Sequence, residues 1–259
     1  MNAMKPFYQH EESGKLLSEY LKKYETLYYT RKFREIKKLF NGIDLPGKKV
    51  LDIGCCAGYI SVWLAGNNAN VVGIDISKNA VEAAKKHAKI RKVSGRCEFY
   101  NKDIIKEDLK NVINGRFDIV IAKDVIEHIK DDGLFLKKIH DLLKDGGILV
   151  LTTQNNHSFN YFLEGFFRKI SGNLSGRKWL GWDPTHLRWY NKPDLNRKLK
   201  EAGFKPEKYS GSYYFPYEIF NKIFGTDINF WPFVMIDDLL GDRWPFNRLG
   251  WSISVRAGK

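Results

Sequence analysis

Short apolar runs alternate with amphipathic stretches between residues 47 and 153. The runs are rich in Val and Ile and predict five buried strands, over residues 49–53, 70–76, 96–100, 117–122 and 147–153. The stretches between them have the apolar spacing of helices, over residues 58–65, 78–91, 104–112 and 132–143. Strands that alternate with helices predict an α/β protein with a doubly wound parallel sheet.

The two flanking regions follow other patterns. Residues 11–42 are predicted to form one or two helices with a Tyr, Leu and Phe face, as an N-terminal helical cap. The C-terminal region is predicted to begin with a Phe- and Gly-containing segment at residues 154–185, followed by a helix at 192–202. Two strands are predicted at residues 205–214 and 251–255, with an aromatic insert at 215–249 between them. We expect one domain over residues 1–259.

Composition and charge narrow the class of protein. A chain of 259 residues with 43% apolar and 14% aromatic residues is not a disordered one. It has no apolar run of roughly 18 residues that would cross a membrane, and residues 1–15 lack the apolar stretch of a signal peptide. Three cysteines are too few for a disulfide framework, so we expect a cytoplasmic protein.

The net charge of +13 is concentrated outside the middle of the chain. Residues 1–50 carry an excess of five positive charges and residues 155–259 an excess of six, against two in residues 51–154. Such a surface attracts anions, which include carboxylated or phosphorylated small molecules, anionic lipid head groups and nucleic acid. A solvated Lys-rich surface with no partner explains the charge equally well.

A glycine-containing turn follows the first strand, with Asp52, Gly54 and Gly58 at its key positions. Dinucleotide-binding turns carry three glycines as G-x-G-x-x-G, whereas these two are four residues apart with no third. A carboxylate before the first glycine suits an amino-acid ammonium group but would repel a pyrophosphate. Asp75 and Asp103 follow the second and third strands, where they can bind a ribose diol and an exocyclic amine. Together these residues predict a site for a nucleoside that bears an amino acid.

These residues resemble class I S-adenosylmethionine-dependent methyltransferases over residues 34–153 and 186–204. The resemblance implies a Rossmann-like sheet of seven strands with the last one antiparallel, and a core for S-adenosylmethionine at residues 47–153. Residues 1–46 then form the cap, and residues 154–259 the substrate lid, last strands and insert. The implied cofactor-binding residues are Arg34, Asp52, Gly54, Cys56, Gly58, Asp75, Ile76, Asp103, Ile104 and Lys123. Cys56 stands where the family usually has glycine.

The segment after the fourth strand separates methyltransferase classes. It contains neither the Asn/Asp-Pro-Pro-aromatic motif of amino-methylating nucleic-acid enzymes nor a Pro-Cys nucleophile, so nucleic acid is an unlikely substrate. Asp124, Glu127 and His128 have i, i+3, i+4 spacing and would share one face of a helix that began at Asp124. They resemble the E-x-x-E-H motif of the ubiquinone-biosynthesis O-methyltransferases, which implies a Mg²⁺ or other divalent-cation site. Acidic residues that only stabilise a helix start are the alternative.

Candidate catalytic groups are His128, His186 and Glu127, any of which could act as an acid or base toward a hydroxyl acceptor. We expect O-methylation of a small molecule that is quinone-like, lipid-linked or a sugar, which releases S-adenosylhomocysteine. Aromatic and basic residues in the lid also suggest an anionic acceptor or peripheral contact with a membrane. An RNA-directed or N-methylating enzyme and a non-catalytic methyltransferase-like subunit are the alternatives.

Overall fold

The computed structural model describes residues 13–25, 27–109, 115–162, 165–166, 170, 183, 185–214, 235 and 238–259. Its helices are α1 (Ser13–Glu25), α2 (Leu27–Leu39), α3 (Tyr59–Gly66), α4 (Lys78–Ile90), α5 (Asp132–Leu142) and α6 (Lys192–Glu201). Its strands are β1 (Lys49–Ile53), β2 (Asn70–Asp75), β3 (Cys97–Asn101), β4 (Phe117–Lys123), β5 (Leu143–Gln154), β6 (Lys205–Ser212) and β7 (Ser252–Gly258). Most of the predicted insert, and residues 171–182 of the predicted lid, lie outside the described residues.

The seven strands form one sheet in the order β3-β2-β1-β4-β5-β7-β6. β1 to β5 run parallel to one another, and β7 runs antiparallel to both β5 and β6. The predicted doubly wound sheet with an antiparallel last strand is therefore confirmed. Chain order reverses between β1 and β4, which is where open α/β sheets bind their ligands, at the carboxyl ends of the strands.

Helices cover both faces of the sheet. Neighbouring strand residues point to opposite faces, and the residues on both faces are apolar and must be buried. Leu51 and Val72 join the core cluster that contains residues of α5 and α6. Their neighbours Val50 and Val71 join a second cluster that contains residues of α2 and α3. All four residues are buried. Strands with two buried faces read as continuous apolar runs, which is why the sequence predicted them closely.

The N-terminal helices pack next to the turn that follows β1. Leu16 and Leu17 of α1 form a small buried cluster with Ala57 of that turn and with two alanines of α4. Phe33 of α2 makes edge-to-face contact with Tyr59 of α3, with ring centroids 5.0 Å apart. The predicted cap therefore contacts the glycine-containing turn directly, and burial of these apolar side chains holds it there.

Two local predictions were wrong. Residues 104–106, predicted as the start of a helix, form a hydrogen-bonded turn. The segment after β4 is a short 3₁₀ helix (Ile126–His128), and no α-helix begins at Asp124, whose φ is +52°. A residue in the left-handed region cannot start a right-handed helix, so residues 124, 127 and 128 do not share a helical face.

A buried carboxylate joins α5 to the segment that follows residue 185. Asp132 Oδ2 lies 2.6 Å from an Arg188 guanidinium nitrogen and accepts a 2.7 Å hydrogen bond from the Tyr190 hydroxyl. Asp132 Oδ1 lies 2.8 Å from Lys198 Nζ in α6. Asp132 therefore fixes the position of the short segment that carries His186.

Replacement of Asp132 by Asn is expected to lower the free energy of unfolding by about 2 kcal/mol, because it removes charge-assisted hydrogen bonds. These bonds, led by that from Lys198, outweigh burial and lower the pKa of Asp132. Its contribution is thus present above the unfolded-state pKa and is lost as pH falls through the lower folded-state value. Urea unfolding at pH 7 and pH 3 should show a smaller difference at pH 3. Asp145→Asn, at a side chain that is 92% exposed, is the control.

Candidate active site

The turn between β1 and α3 requires residues that accept left-handed backbone conformations. Gly54 and Gly58 have φ values of +70° and +73°. A Cβ atom on Gly54 would lie 2.6 Å from Val125 Cγ2, so this position also needs glycine for space. Cys56 adopts the same region with φ +48°, a conformation that favours glycine. The turn brings backbone close to the neighbouring strand ends, as ligand-binding turns do.

Asp52 and Asp75 occupy neighbouring strands at this turn. Asp52 is buried and accepts a 2.5 Å hydrogen bond from the Ser61 hydroxyl, and burial raises its pKa to about 6. Asp75 Oδ2 accepts a 2.9 Å bond from the Cys56 N–H and Oδ1 a 2.8 Å bond from the Ser77 N–H. Burial raises the pKa of Asp75 too, although both N–H groups oppose that effect. The Asp75 carboxylate thus orders the turn from the end of β2.

Asp103 lies two residues after the end of β3, in the hydrogen-bonded turn. Its Oδ1 accepts bonds of 2.9 Å and 3.3 Å from the backbone N–H groups of Ile105 and Lys106. Ile76 is 53% exposed beside Asp75, and Ile104 is buried in the main core cluster. The structure therefore places the three predicted carboxylates at the ends of three adjacent strands, in the order that the sequence suggested.

Asp124 is held by two lysines at the end of β4. Its Oδ2 lies 2.7 Å from Lys32 Nζ and 2.8 Å from Lys123 Nζ, and Thr152 Oγ1 donates to its Oδ1 at 3.0 Å. The two ammonium groups outweigh burial and hold the pKa of Asp124 well below its usual range. Lys32 and Thr152 were not predicted as site residues. Thr152 could have been recognised from the sequence, because Thr152 and Thr153 are adjacent polar residues at the end of an otherwise apolar strand.

Arg34 does not occupy the position predicted for it. Its guanidinium lies 2.5 Å from Asp238 Oδ2, and it lines a small polar cleft with Ser210 and Ser212 of β6. Lys32 is the α2 cation that reaches the carboxyl end of β4. Successive helix residues are about 100° apart, so positions 32 and 34 point to nearly opposite sides. Arg34 was predicted from a resemblance that is based on position along the chain, which does not reveal this helical phase.

Glu127, His128 and His186 form a cluster next to the lysine pair. Their side-chain ligand atoms all lie within 4.8 Å of one another. Glu127 is fully buried, and burial together with the charge of Asp124 raises its pKa to about 8. Its Oε2 accepts a 2.9 Å bond from Thr153 Oγ1. Within the described ranges, Glu127 Oε1 and His186 Nδ1 are buried and have no hydrogen-bond partner.

The two histidine rings are set by the segment that Asp132 anchors. Their centroids are 4.8 Å apart in edge-to-face contact, and the His186 ring also contacts Trp189. His128 Nδ1 lies 3.3 Å from the Thr185 carbonyl oxygen. Burial lowers the pKa of His186 to about 4, and the neighbouring His128 adds to the effect. His186 is therefore neutral at pH 7 and is a weak proton acceptor.

The predicted magnesium ligands do not come together as one set. The carboxylate of Asp124 is occupied by two ammonium groups, which repel a cation. The groups gathered instead, from Glu127, His128 and His186, offer one oxygen and two nitrogen ligands. Mg²⁺ prefers oxygen ligands, so this donor set does not fit it.

The cysteines and the helix lengths bear on the expectations drawn from composition. All three cysteines have free thiols. Among the residues that the structure describes, no helix combines the length and the apolar character that a membrane span requires.

Comparisons with known proteins identify the family to which this chain belongs. Residues 44–189 match a family model described as a methyltransferase domain, which covers more than half of the chain. A ubiquinone biosynthesis O-methyltransferase of Thiobacillus denitrificans is 30% identical over 189 residues, 72% of this chain and 77% of that protein. One from Nitrobacter winogradskyi is 32% identical over 179 residues, 67% of this chain and 62% of that protein.

A solved S-adenosylmethionine dependent methyltransferase from Mesorhizobium loti superposes with a TM-score of 0.58. It is 17% identical and covers 88% of this chain and 98% of its own, which supports the fold alone. The chain belongs to the methyltransferase family, and it is an S-adenosylmethionine-dependent enzyme. Its sequence is similar to that of the ubiquinone biosynthesis O-methyltransferases.

Glu127→Gln is expected to stabilise the protein increasingly as pH rises. The folded-state pKa of about 8 lies above the ordinary glutamate pKa of 4.5, so the wild type loses stability as pH rises between these values while the variant does not. Thermal unfolding midpoints at pH 5 and pH 8.5 measure this, with Glu201→Gln, at an exposed side chain, as the control. A variant effect of equal size at both pH values would contradict the buried, protonated state of Glu127.

Proposed function

We propose that the protein transfers the methyl group of S-adenosylmethionine to a hydroxyl oxygen of a small molecule, at the cluster of Glu127, His128 and His186. The observation that carries this proposal is the position of the cluster. Glu127 and His128 of the cluster follow β4 directly. Val125, between the strand and these two residues, lies next to Gly54, where an added Cβ would be 2.6 Å from Val125 Cγ2. An acceptor bound at the cluster would thus lie next to the bound donor.

The described residues support a specific arrangement of the cofactor. Asp75 would bind the ribose hydroxyls and Asp103 the adenine amine, while the turn from Gly54 to Gly58 and Asp52 would hold the methionine part. Backbone at Cys56 and Ile104, the Ile76 side chain and Lys123 would line the same site. Lys32, rather than Arg34, is the α2 cation placed to attract the methionine carboxylate, because its Nζ reaches the end of β4.

The proposed chemistry needs alignment and one proton acceptor. With His128 Nδ1 donating to the Thr185 carbonyl oxygen, its Nε2 carries the lone pair that accepts the hydroxyl proton. The acceptor oxygen then forms its bond to the methyl carbon as the carbon–sulfur bond breaks, and S-adenosylhomocysteine leaves. Alignment supplies roughly 7–11 kcal/mol, and a general base adds roughly 10²–10⁴-fold in rate. Neither neighbour would compete with His128 for the hydroxyl proton. His186 is a weak base because its pKa is lowered to about 4, and Glu127 already carries a proton because its pKa is raised to about 8.

The acceptor class follows from chemistry around the cluster and from the relatives. Two similar proteins are named for ubiquinone biosynthesis, which supports a quinone-like phenol. Exposed aromatic side chains at Phe159, Phe162 and Phe166 support a lipid-linked acceptor and contact with a membrane surface. The net charge of +13 supports an acceptor with anionic groups. A sugar acceptor would use the same hydroxyl chemistry.

The function is tested by two measurements on the full chain. Calorimetry should show binding of S-adenosylhomocysteine, and labelled S-adenosylmethionine should methylate a polyprenylated hydroxyphenol in detergent. A water-soluble phenol, a hexose and a primary amine are the matched acceptors, and we expect the polyprenylated phenol to react fastest. Transfer to the amine alone would overturn O-methylation, and absence of cofactor binding would overturn the whole proposal.

His128→Asn should lower kcat by about 10²–10⁴-fold and leave the affinity for S-adenosylhomocysteine unchanged, because it removes the base but not the cofactor site. Steady-state rates with saturating cofactor measure the first effect, and calorimetry measures the second. His157→Asn, at an exposed histidine after β5, is the control and should keep the wild-type rate. A wild-type rate in His128→Asn would show that this imidazole is not the base.

A further inference from the structure

A lysine of α5 binds the turn that carries Asp103, far from it in sequence. Lys138 Nζ donates hydrogen bonds to the carbonyl oxygens of Ile104, Ile105 and Glu107, at 2.8, 2.7 and 3.1 Å. An ammonium group has three N–H donors and no acceptor, so these three bonds use its full capacity. Lys138 is only partly exposed, and the buried Phe135, Leu136 and Ile139 of the same helix fix the helix against the sheet.

The same turn is closed from within by Asp103 and Glu107. Glu107 Oε1 accepts a 3.0 Å bond from the Asp103 N–H, and the Glu107 N–H donates to the Asp103 carbonyl oxygen at 2.9 Å. Asp103 Oδ1 is committed to two backbone N–H groups. Its Oδ2 lies 3.3 Å from Lys106 Nζ, whose side chain is 82% exposed. An exposed ion pair contributes little, so Oδ2 can exchange this partner for a ligand amine at small cost.

Three carbonyl oxygens that converge on one point repel one another unless a cation lies between them. In the helix that the sequence predicted here, each carbonyl would instead accept a hydrogen bond from the residue four positions later. Lys138 therefore stabilises a turn in which the carbonyls of residues 104, 105 and 107 face α5. That conformation decides where the Asp103 carboxylate points at the end of β3.

We propose that Lys138 is a positioning residue for adenine recognition, which acts by holding the Asp103 turn in the geometry that accepts the adenine amine. This inference rests on the proposed role of Asp103 in the cofactor site. Lys138, on α5, would thus influence which purine base the site prefers without contacting the ligand itself. Loss of the ammonium group should therefore weaken the preference for an amine at position 6 of the purine, beyond any loss of stability.

The test compares S-adenosylhomocysteine with S-inosylhomocysteine, which has a carbonyl in place of that amine. Calorimetry on the full chain should show that Lys138→Met weakens S-adenosylhomocysteine about tenfold and the inosine analogue less than about threefold. Lys137→Met, at the exposed neighbouring position of α5, should leave both affinities unchanged. Asp103→Asn should shift the preference toward the inosine analogue, because its amide nitrogen can donate to the carbonyl at position 6.

The outcomes separate the two assignments. If Asp103→Asn shifts the preference while Lys138→Met weakens both ligands equally or neither, Lys138 has no positioning role and the Asp103 assignment stands. If neither variant alters the preference although the wild type binds S-adenosylhomocysteine, both assignments are wrong while the methyltransferase function survives. Should Lys138→Met not fold, Lys138→Arg takes its place, because a planar guanidinium does not match the geometry of three converging carbonyl oxygens. We expect this variant also to bind S-adenosylhomocysteine and the inosine analogue with a smaller difference in affinity than the wild type does.

Discussion

The carboxylate of Asp75 connects the two strand ends on which the proposed cofactor site depends. By accepting the N–H groups of Cys56 and Ser77, it fixes the turn after β1 and the start of α4 with one side chain. The turn needs this support because Cys56 holds a left-handed conformation that disfavours residues with a Cβ. The position of α3, the contact with α1 and the proposed binding of the cofactor all depend on the geometry of this turn.

Two carboxyl groups three residues apart have opposite protonation states for physical reasons that the structure makes plain. Asp124 lies between Lys32 and Lys123 and stays ionised. Glu127 is buried beside that negative charge and keeps its proton at pH 7. Neighbouring groups whose environments push their pKa values apart are typical of sites that move protons. The N-terminal cap takes part in this arrangement because Lys32 belongs to α2.

The C-terminal part of the described chain supplies the other half of the cluster. His186 lies against His128 in a segment whose backbone Asp132 helps to fix against α5, by binding Arg188, Tyr190 and Lys198. The ring of Trp189 then contacts both His186 and Trp251, so that aromatic packing closes the cluster on the side of β7. Asp132, a residue outside the proposed chemistry, thus contributes to the position of the two imidazoles.

The sequence by itself determined the sheet, because each strand is buried on both faces and appears as an apolar run. It also indicated Asp52, Asp75 and Asp103, because strand order alone brings strand ends together at one edge. Only the tertiary structure decided which cation of α2 reaches that edge, since helical phase separates Lys32 from Arg34. It also decided that Asp124 departs from the predicted helix face and that Lys138 orders a turn more than thirty residues away, because left-handed backbone and long-range hydrogen bonds leave no periodic pattern in a sequence.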